Sequence, residues 1–88
     1  MSARAWSIEY ERRARKDLGR LDPTVRRRVL ASIERFATDP SAADVRRLSG
    51  RAGYRLRVGD WRVLFELDSV RRKIVVDRVL PRGRAYER

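Results

Sequence analysis

Between Tyr54 and Leu67 the chain alternates apolar and polar residues, and the alternation changes phase once, at Gly59-Asp60. A period of two belongs to a strand with one buried face. If Gly59-Asp60 is a two-residue turn, Val58 pairs with Trp61, Arg57 with Arg62, Leu56 with Val63, Arg55 with Leu64 and Tyr54 with Phe65. Directly paired residues share a side of the sheet. Tyr54, Leu56, Val58, Trp61, Val63, Phe65 and Leu67 therefore form one apolar face. The other carries Arg55, Arg57 and Arg62, beside Leu64 and Glu66. A hairpin of this kind must lie on a core that something else supplies.

The segment upstream supplies it. Trp6 to Tyr10 alternates and reads as a short first strand. From Glu11 to Leu21 the spacing becomes helical, with Ala14, Leu18 and Leu21 on one side. Asp22-Pro23 then fits an N-cap and the first position of a second helix, running to about Thr38 with Val25, Val29, Ile33 and Phe36 as its stripe, broadened by Leu30 and Ala37. Pro40 stops it. Ser41 to Asp44 reads as a loop and Val45 to Leu48 as a short extended piece. After the hairpin, Asp68 to Arg72 is a turn, Lys73 to Leu80 a strand rich in β-branched residues, and Pro81 to Tyr86 a tail. The expectation is an α+β fold in one domain spanning 1–88: a small antiparallel sheet with an N-terminal helical hairpin packed on one face, β-α-α-β-β-β. In the last strand Ile74, Val76, Arg78 and Leu80 oppose Lys73, Val75, Asp77 and Val79, so both faces are partly apolar, and alternation assigns neither Asp77 nor Arg78 to a side. Asp77 is expected to pair with a nearby arginine.

The chain carries a net charge of +11, and 21 of its 23 basic residues are arginine, against 42% apolar residues for a small core. So large a charge predisposes a protein to polyanions. Two arginines opposed across a hairpin repel by a few tenths of a kcal/mol, roughly. Folding does not ask for that arrangement; a phosphate-binding surface does. A merely solvated arginine-rich face is the competing reading. Arg26, Arg27 and Arg28 fan around their helix and read as such a solvated face, while Trp6 and Trp61 read as core or rim. With no cysteine and no histidine, disulfides, thiolate or imidazole metal sites and histidine-based catalysis are excluded. No cofactor is expected. The first residues do not form a secretory signal and no stretch is long enough to span a bilayer, so a cytoplasmic protein is expected.

The text YRLRVGDWRV at Tyr54 to Val63 resembles the central strand–turn–strand of toxins of the RelE/ParE superfamily. The opening WSIEYERRARKDLGRL, the Leu48-Ser49-Gly50 that precedes the hairpin and the close from Arg78 to Tyr86 resemble the same family. The resemblance covers almost the whole chain. It implies a toxin restrained by an acidic antitoxin and, on the RelE side, an endoribonuclease that cuts messenger RNA in the ribosomal A site. It carries the family's catalytic positions to Arg55, Arg57, Arg62, Arg82 and Tyr86. Arg51, Arg78 and Arg84 are further candidates for holding RNA. Two positions depart from the family: arginines stand at 55 and 57 where some members have lysine, and Pro81 stands where many have histidine.

The implied reaction is attack of a ribose 2′-hydroxyl on the adjacent phosphate, leaving a 2′,3′-cyclic phosphate and a free 5′-hydroxyl. Arginines suit the charge that develops on the phosphorane. They are poor general bases, being protonated at all working pH values. Tyr86, its pKa lowered by surrounding guanidiniums, is a conceivable base; stacking on a nucleobase is its other use. Two other functions fit the same residues: a ParE-like inhibitor of DNA gyrase, and a non-catalytic RNA- or ribosome-binding protein.

Overall fold

The computed structural model describes residues 6–83. The elements run β1 (Ser7–Tyr10), α1 (Arg12–Gly19), α2 (Pro23–Thr38), a short 3-10 turn (Pro40–Ala42), β2 (Val45–Arg47), β3 (Tyr54–Val58), β4 (Trp61–Asp68) and β5 (Lys73–Pro81). They build one five-stranded sheet in the order β1-β5-β4-β3-β2, with the two helices on one face. The expected α+β plan holds. The sheet is mixed rather than purely antiparallel, because β1 pairs in parallel with β5, Ser7 opposite Lys73 and Tyr10 opposite Val76. Val45–Arg47 joins as a fifth strand, antiparallel to β3.

The helices start and stop for local reasons. The Asp22 carboxylate accepts the Thr24 N–H at 3.2 Å and caps α2, with Pro23 in its first turn. The end of α1 is met by a side chain of α2: the Arg26 guanidinium donates to the carbonyls of Leu18 and Leu21 at 2.9 Å and to that of Gly19 at 3.5 Å. Carbonyls left without partners at a helix end are thereby satisfied. Arg26 is accordingly half-buried, a structural residue on a helix expected to carry only solvated arginines there.

The core joins Ala14, Leu18 and Leu21 of the first helical segment to Val29, Ile33, Phe36 and Ala37 of α2 and to the apolar face of the sheet. Phe65 lies at its centre, tilted against Phe36 at 5.1 Å and stacked on Tyr54 at 5.5 Å between ring centroids. Ring pairs at such spacings add about 0.5–1.5 kcal/mol to the area they bury. The hairpin register is the one alternation implies, from Tyr54 opposite Phe65 to Val58 opposite Trp61. Gly59 takes φ +59° at the first central position of the turn, and no other residue of the turn has a positive φ. That is the requirement of a type II′ hairpin turn.

The last strand resists a reading by alternation because its parity breaks. Leu64 faces Arg78 while Phe65 faces Val76, which leaves Asp77 as the extra residue of a bulge. Before the bulge Ile74 and Val76 enter the core, and after it Val79 does. β1 also stops short of this point. Its pairing with β5 ends at Val76, and the Glu11 N–H closes on the Val76 carbonyl at 2.9 Å. The edge of β5 beyond Val76 is taken over by α1. The Asp17 carboxylate, 7% exposed, accepts the Val79 N–H at 2.8 Å and the Arg78 guanidinium through Nε at 2.8 Å and Nη2 at 3.1 Å.

Candidate functional site

The face of the sheet turned away from the helices is a lattice of arginines. Arg57 on β3 lies directly opposite Arg62 on β4. One row along, Arg46 on β2 lies opposite Arg55 on β3, Arg55 opposite Leu64, and Leu64 opposite Arg78 on β5. Two arginine–arginine pairs thus cross adjacent strand boundaries. Arg46 belongs to this surface and sequence reasoning missed it; alternation through three residues of β2 carries too little signal to fix its side.

The arginines differ in environment. Arg62 is 6% exposed. Its Nη1 donates to the carbonyls of Gly59 at 2.9 Å and Trp61 at 3.0 Å, so the guanidinium folds back under the turn. Its Nε is buried without a hydrogen-bond partner, and no carboxylate pairs with it among the described residues. A buried donor left unsatisfied, on a buried charge, is costly to fold around. Arg57 is the opposite case. It is exposed and touches the exposed Asp44 at 3.6 Å, a contact that solvent makes weak and easily displaced. Arg55, two residues before Arg57 on β3, is half-buried.

Arg82 is exposed and follows β5 directly. Its N–H donates to the Asp60 carbonyl at 2.7 Å, which ties it to the same turn that holds Arg62. Arg28 reaches this turn from α2: a Cβ placed on Gly59 would stand 2.8 Å from its Nη2. Four arginines, Arg28, Arg57, Arg62 and Arg82, therefore gather about Gly59-Asp60. Arg51 is exposed in the loop that enters β3, at the strand's other end. Arg78, expected to hold RNA, has its guanidinium fork on Asp17 instead. Arg84 and Tyr86 lie outside the described residues.

The carboxylates separate into two kinds. Burial alone would raise the Asp17 pKa, but the hydrogen bonds from Arg78 and the Val79 N–H, with the charges of Arg78 and Arg20, outweigh it and hold the group below the usual carboxylate value. Asp77 goes the other way. Burial raises its pKa first, the nearby charges of Glu66 and Glu11 raise it further, and Arg51 and Arg13 only partly oppose them. The ion pair expected for Asp77 does not form: the ion pairs among the described residues are Arg57–Asp44, Lys73–Glu9 and Arg78–Asp17. The bulge explains this, since it sets Asp77 among carboxylates and turns Arg78 toward α1. Among the described residues no cluster of three or more acidic side chains could hold a metal ion. No helix among the described residues is long and apolar enough to cross a membrane.

The profile of a family described as the ParE toxin of type II toxin–antitoxin systems, parDE, matches residues 8–86. A comparison with curated protein sequences gives no match. Among solved structures, the chain is similar to one in the archaeal RelE–RelB complex from Pyrococcus horikoshii OT3, with a TM-score of 0.76 and 26% identity over 92% of this chain and 99% of that one. The RelB–RelE antitoxin–toxin complex from Methanococcus jannaschii contains another, with a TM-score of 0.72 and 25% identity over 90% and 95%. In the toxin–antitoxin complex RelBE2 from Mycobacterium tuberculosis, a chain 22% identical shares the fold with a TM-score of 0.75 over 89% and 99%.

Proposed function

We propose, from the premise that this chain belongs to the ParE toxin family, within the RelE/ParE superfamily of type II toxin–antitoxin toxins, that it is an endoribonuclease cutting messenger RNA in the ribosomal A site. The observation that carries the reading is Arg62: a buried guanidinium opposite Arg57, with an unpartnered Nε and, among the described residues, no carboxylate to neutralise it. A protein that only needed to fold would gain by replacing it with an apolar residue. A phosphoryl-transfer site needs a fixed, poorly hydrated cation where negative charge develops.

In this reading the 2′-hydroxyl of one nucleotide attacks the next phosphate. A new P–O2′ bond forms, the P–O5′ bond breaks, and a 2′,3′-cyclic phosphate and a 5′-hydroxyl result. Arg55 and Arg57 hold the backbone, Arg62 meets the phosphorane oxygens and Arg82 the departing 5′-oxygen. Tyr86 orients or activates the nucleophile. Arg46 and Arg51 extend the phosphate-binding surface along the sheet. With only weak bases available, much of the acceleration must come from geometry, so the enzyme works where the ribosome has already bent the messenger for in-line attack. The partner is an acidic antitoxin, partly disordered when free, that covers the basic surface; the similar solved chains from P. horikoshii and M. jannaschii occur in RelE–RelB complexes. The protein acts in the cytoplasm, where its ribosomal target is.

The matching family profile is that of ParE, which favours one second reading, inhibition of DNA gyrase. Both are tested on one preparation, by mapping messenger ends on programmed ribosomes by primer extension beside a gyrase supercoiling assay. Cuts within A-site codons with supercoiling intact support the ribonuclease. Intact messenger with supercoiling blocked replaces it with the gyrase reading.

A further inference from the structure

Where β1 stops pairing, the edge of β5 opens into a pocket of about 200 Å³ beside Pro81, the residue before Arg82. Its walls bring together three kinds of group. Trp61, half-buried and paired across the ladder with Pro81, offers an aromatic surface. Arg20, at the end of α1, is exposed and makes no ion pair among the described residues. Asp17 and Arg78 form the floor, locked to each other by the two bonds of the guanidinium fork. The Val79 N–H points into this edge, since Asp17 accepts it.

This mixture does not suit a phosphate. The Arg78 fork is already taken and the Asp17 charge would repel a second anion. It suits a neutral planar ring with donors and acceptors on its rim. Bases of single-stranded RNA are recognised by stacking on aromatic side chains and guanidinium planes, with hydrogen bonds to their edges. The volume, below the roughly 300 Å³ at which drug-sized sites begin, is on the scale of one such ring system.

We propose that this pocket takes one nucleobase of the RNA, stacked on Trp61, with Arg20 donating to its acceptors. The assignment rests on the ribonuclease reading for its biological meaning. It places a base-reading subsite next to Arg82 and so gives the enzyme a means of preferring some codons to others. The phosphates would be held on the arginine face and one base at the open edge of β5, with the chain of the RNA passing the Gly59-Asp60 end of the sheet.

The binding test does not depend on cleavage. The chain has two tryptophans, Trp6 and Trp61, so Trp6→Phe leaves the pocket's indole as the only one. That variant, its fold checked by circular dichroism, is titrated with each ribonucleoside 5′-monophosphate and with ribose 5-phosphate. Saturable quenching of Trp61 by at least one nucleotide, with none by ribose 5-phosphate, is expected. Adding Arg20→Ala weakens the best nucleotide about tenfold, the loss of roughly one charge-assisted hydrogen bond. Equal quenching by ribose 5-phosphate, no quenching by any nucleotide, or indifference to Arg20→Ala overturns the proposal. On programmed ribosomes Arg20→Ala redistributes cuts among codons, and an unchanged distribution in a cutting enzyme also overturns it. If the wild type does not cut at all, the ribonuclease reading fails while base-dependent quenching still supports a nucleobase pocket.

Discussion

Asp17→Ala should be the most destabilising single change at the sheet edge. The substitution strands the Arg78 guanidinium and leaves the Val79 N–H without its acceptor. Removing one partner of a buried ion pair costs about 3–5 kcal/mol. The Arg78 side chain keeps 26% exposure and can turn to water, which places the expected loss at the lower end, about 3 kcal/mol. In a domain of this size each kcal/mol moves Tm by about 4–8 °C, so a fall of roughly 12–24 °C is expected in calorimetry. Urea denaturation gives the same loss in free energy, and a double-mutant cycle with Arg78→Met shows coupling between the two sites. The pH dependence follows from the depressed Asp17 pKa. Its stabilisation is complete above the unfolded carboxylate value and is lost as pH falls through the folded one. The gap between wild type and Asp17→Asn is therefore constant near neutrality and closes below about pH 4. A loss under about 1 kcal/mol for Asp17→Ala, or a gap that persists unchanged to pH 2, would refute the argument.

Arg62→Met removes a buried charge while keeping a long apolar stem; stability by denaturant titration should stay within about 1 kcal/mol of wild type, while cleavage on ribosomes falls at least about 100-fold. A large loss of stability with activity kept would make Arg62 a structural residue. Gly59→Ala forces a Cβ into the positive-φ region and against Arg28, at a cost of about 1–2 kcal/mol for the backbone. Because the atom it meets is the end of a flexible side chain, Arg28→Ala should relieve only the contact and leave the backbone cost in place. Gly50→Ala, with φ +72° and open space around it, should show the backbone cost alone.

Residues of different kinds show what the sequence could reveal. The hairpin was legible to the residue because two strands joined by a two-residue turn share one phase relation, so the arginine pair at 57 and 62 follows from alternation alone. The second helix was legible from its stripe, Asp22 and Pro23. The last strand was not, because one bulged residue reverses parity and no composition signal announces a bulge. Asp77 and Arg78 were unassignable for that reason. Arg26 and Arg28 looked alike in sequence, yet one ends a helix and the other leans on a turn. Their roles depend on which element lies three or four residues around the helix, information that exists only after packing. Asp17, a charged residue on an apolar helix face, has no visible role in the sequence because its partners lie 61 and 62 residues away.

The place of β5 in the sheet sets the order in which a ribosome can deliver a finished molecule. β5 lies between β1 and β4, and among the described residues β1 pairs with no other strand. While Lys73 to Pro81 remain unsynthesised, Ser7 to Tyr10 wait with an open ladder and Asp17 with no amide or guanidinium to accept. Helices and the β2–β3–β4 meander can form early, since their contacts are local, but β1 cannot join the sheet until β5 arrives. The toxin fold is in this way incomplete through most of the chain's own synthesis. A partner that recognises β2 to β4 could engage it before the sheet is complete.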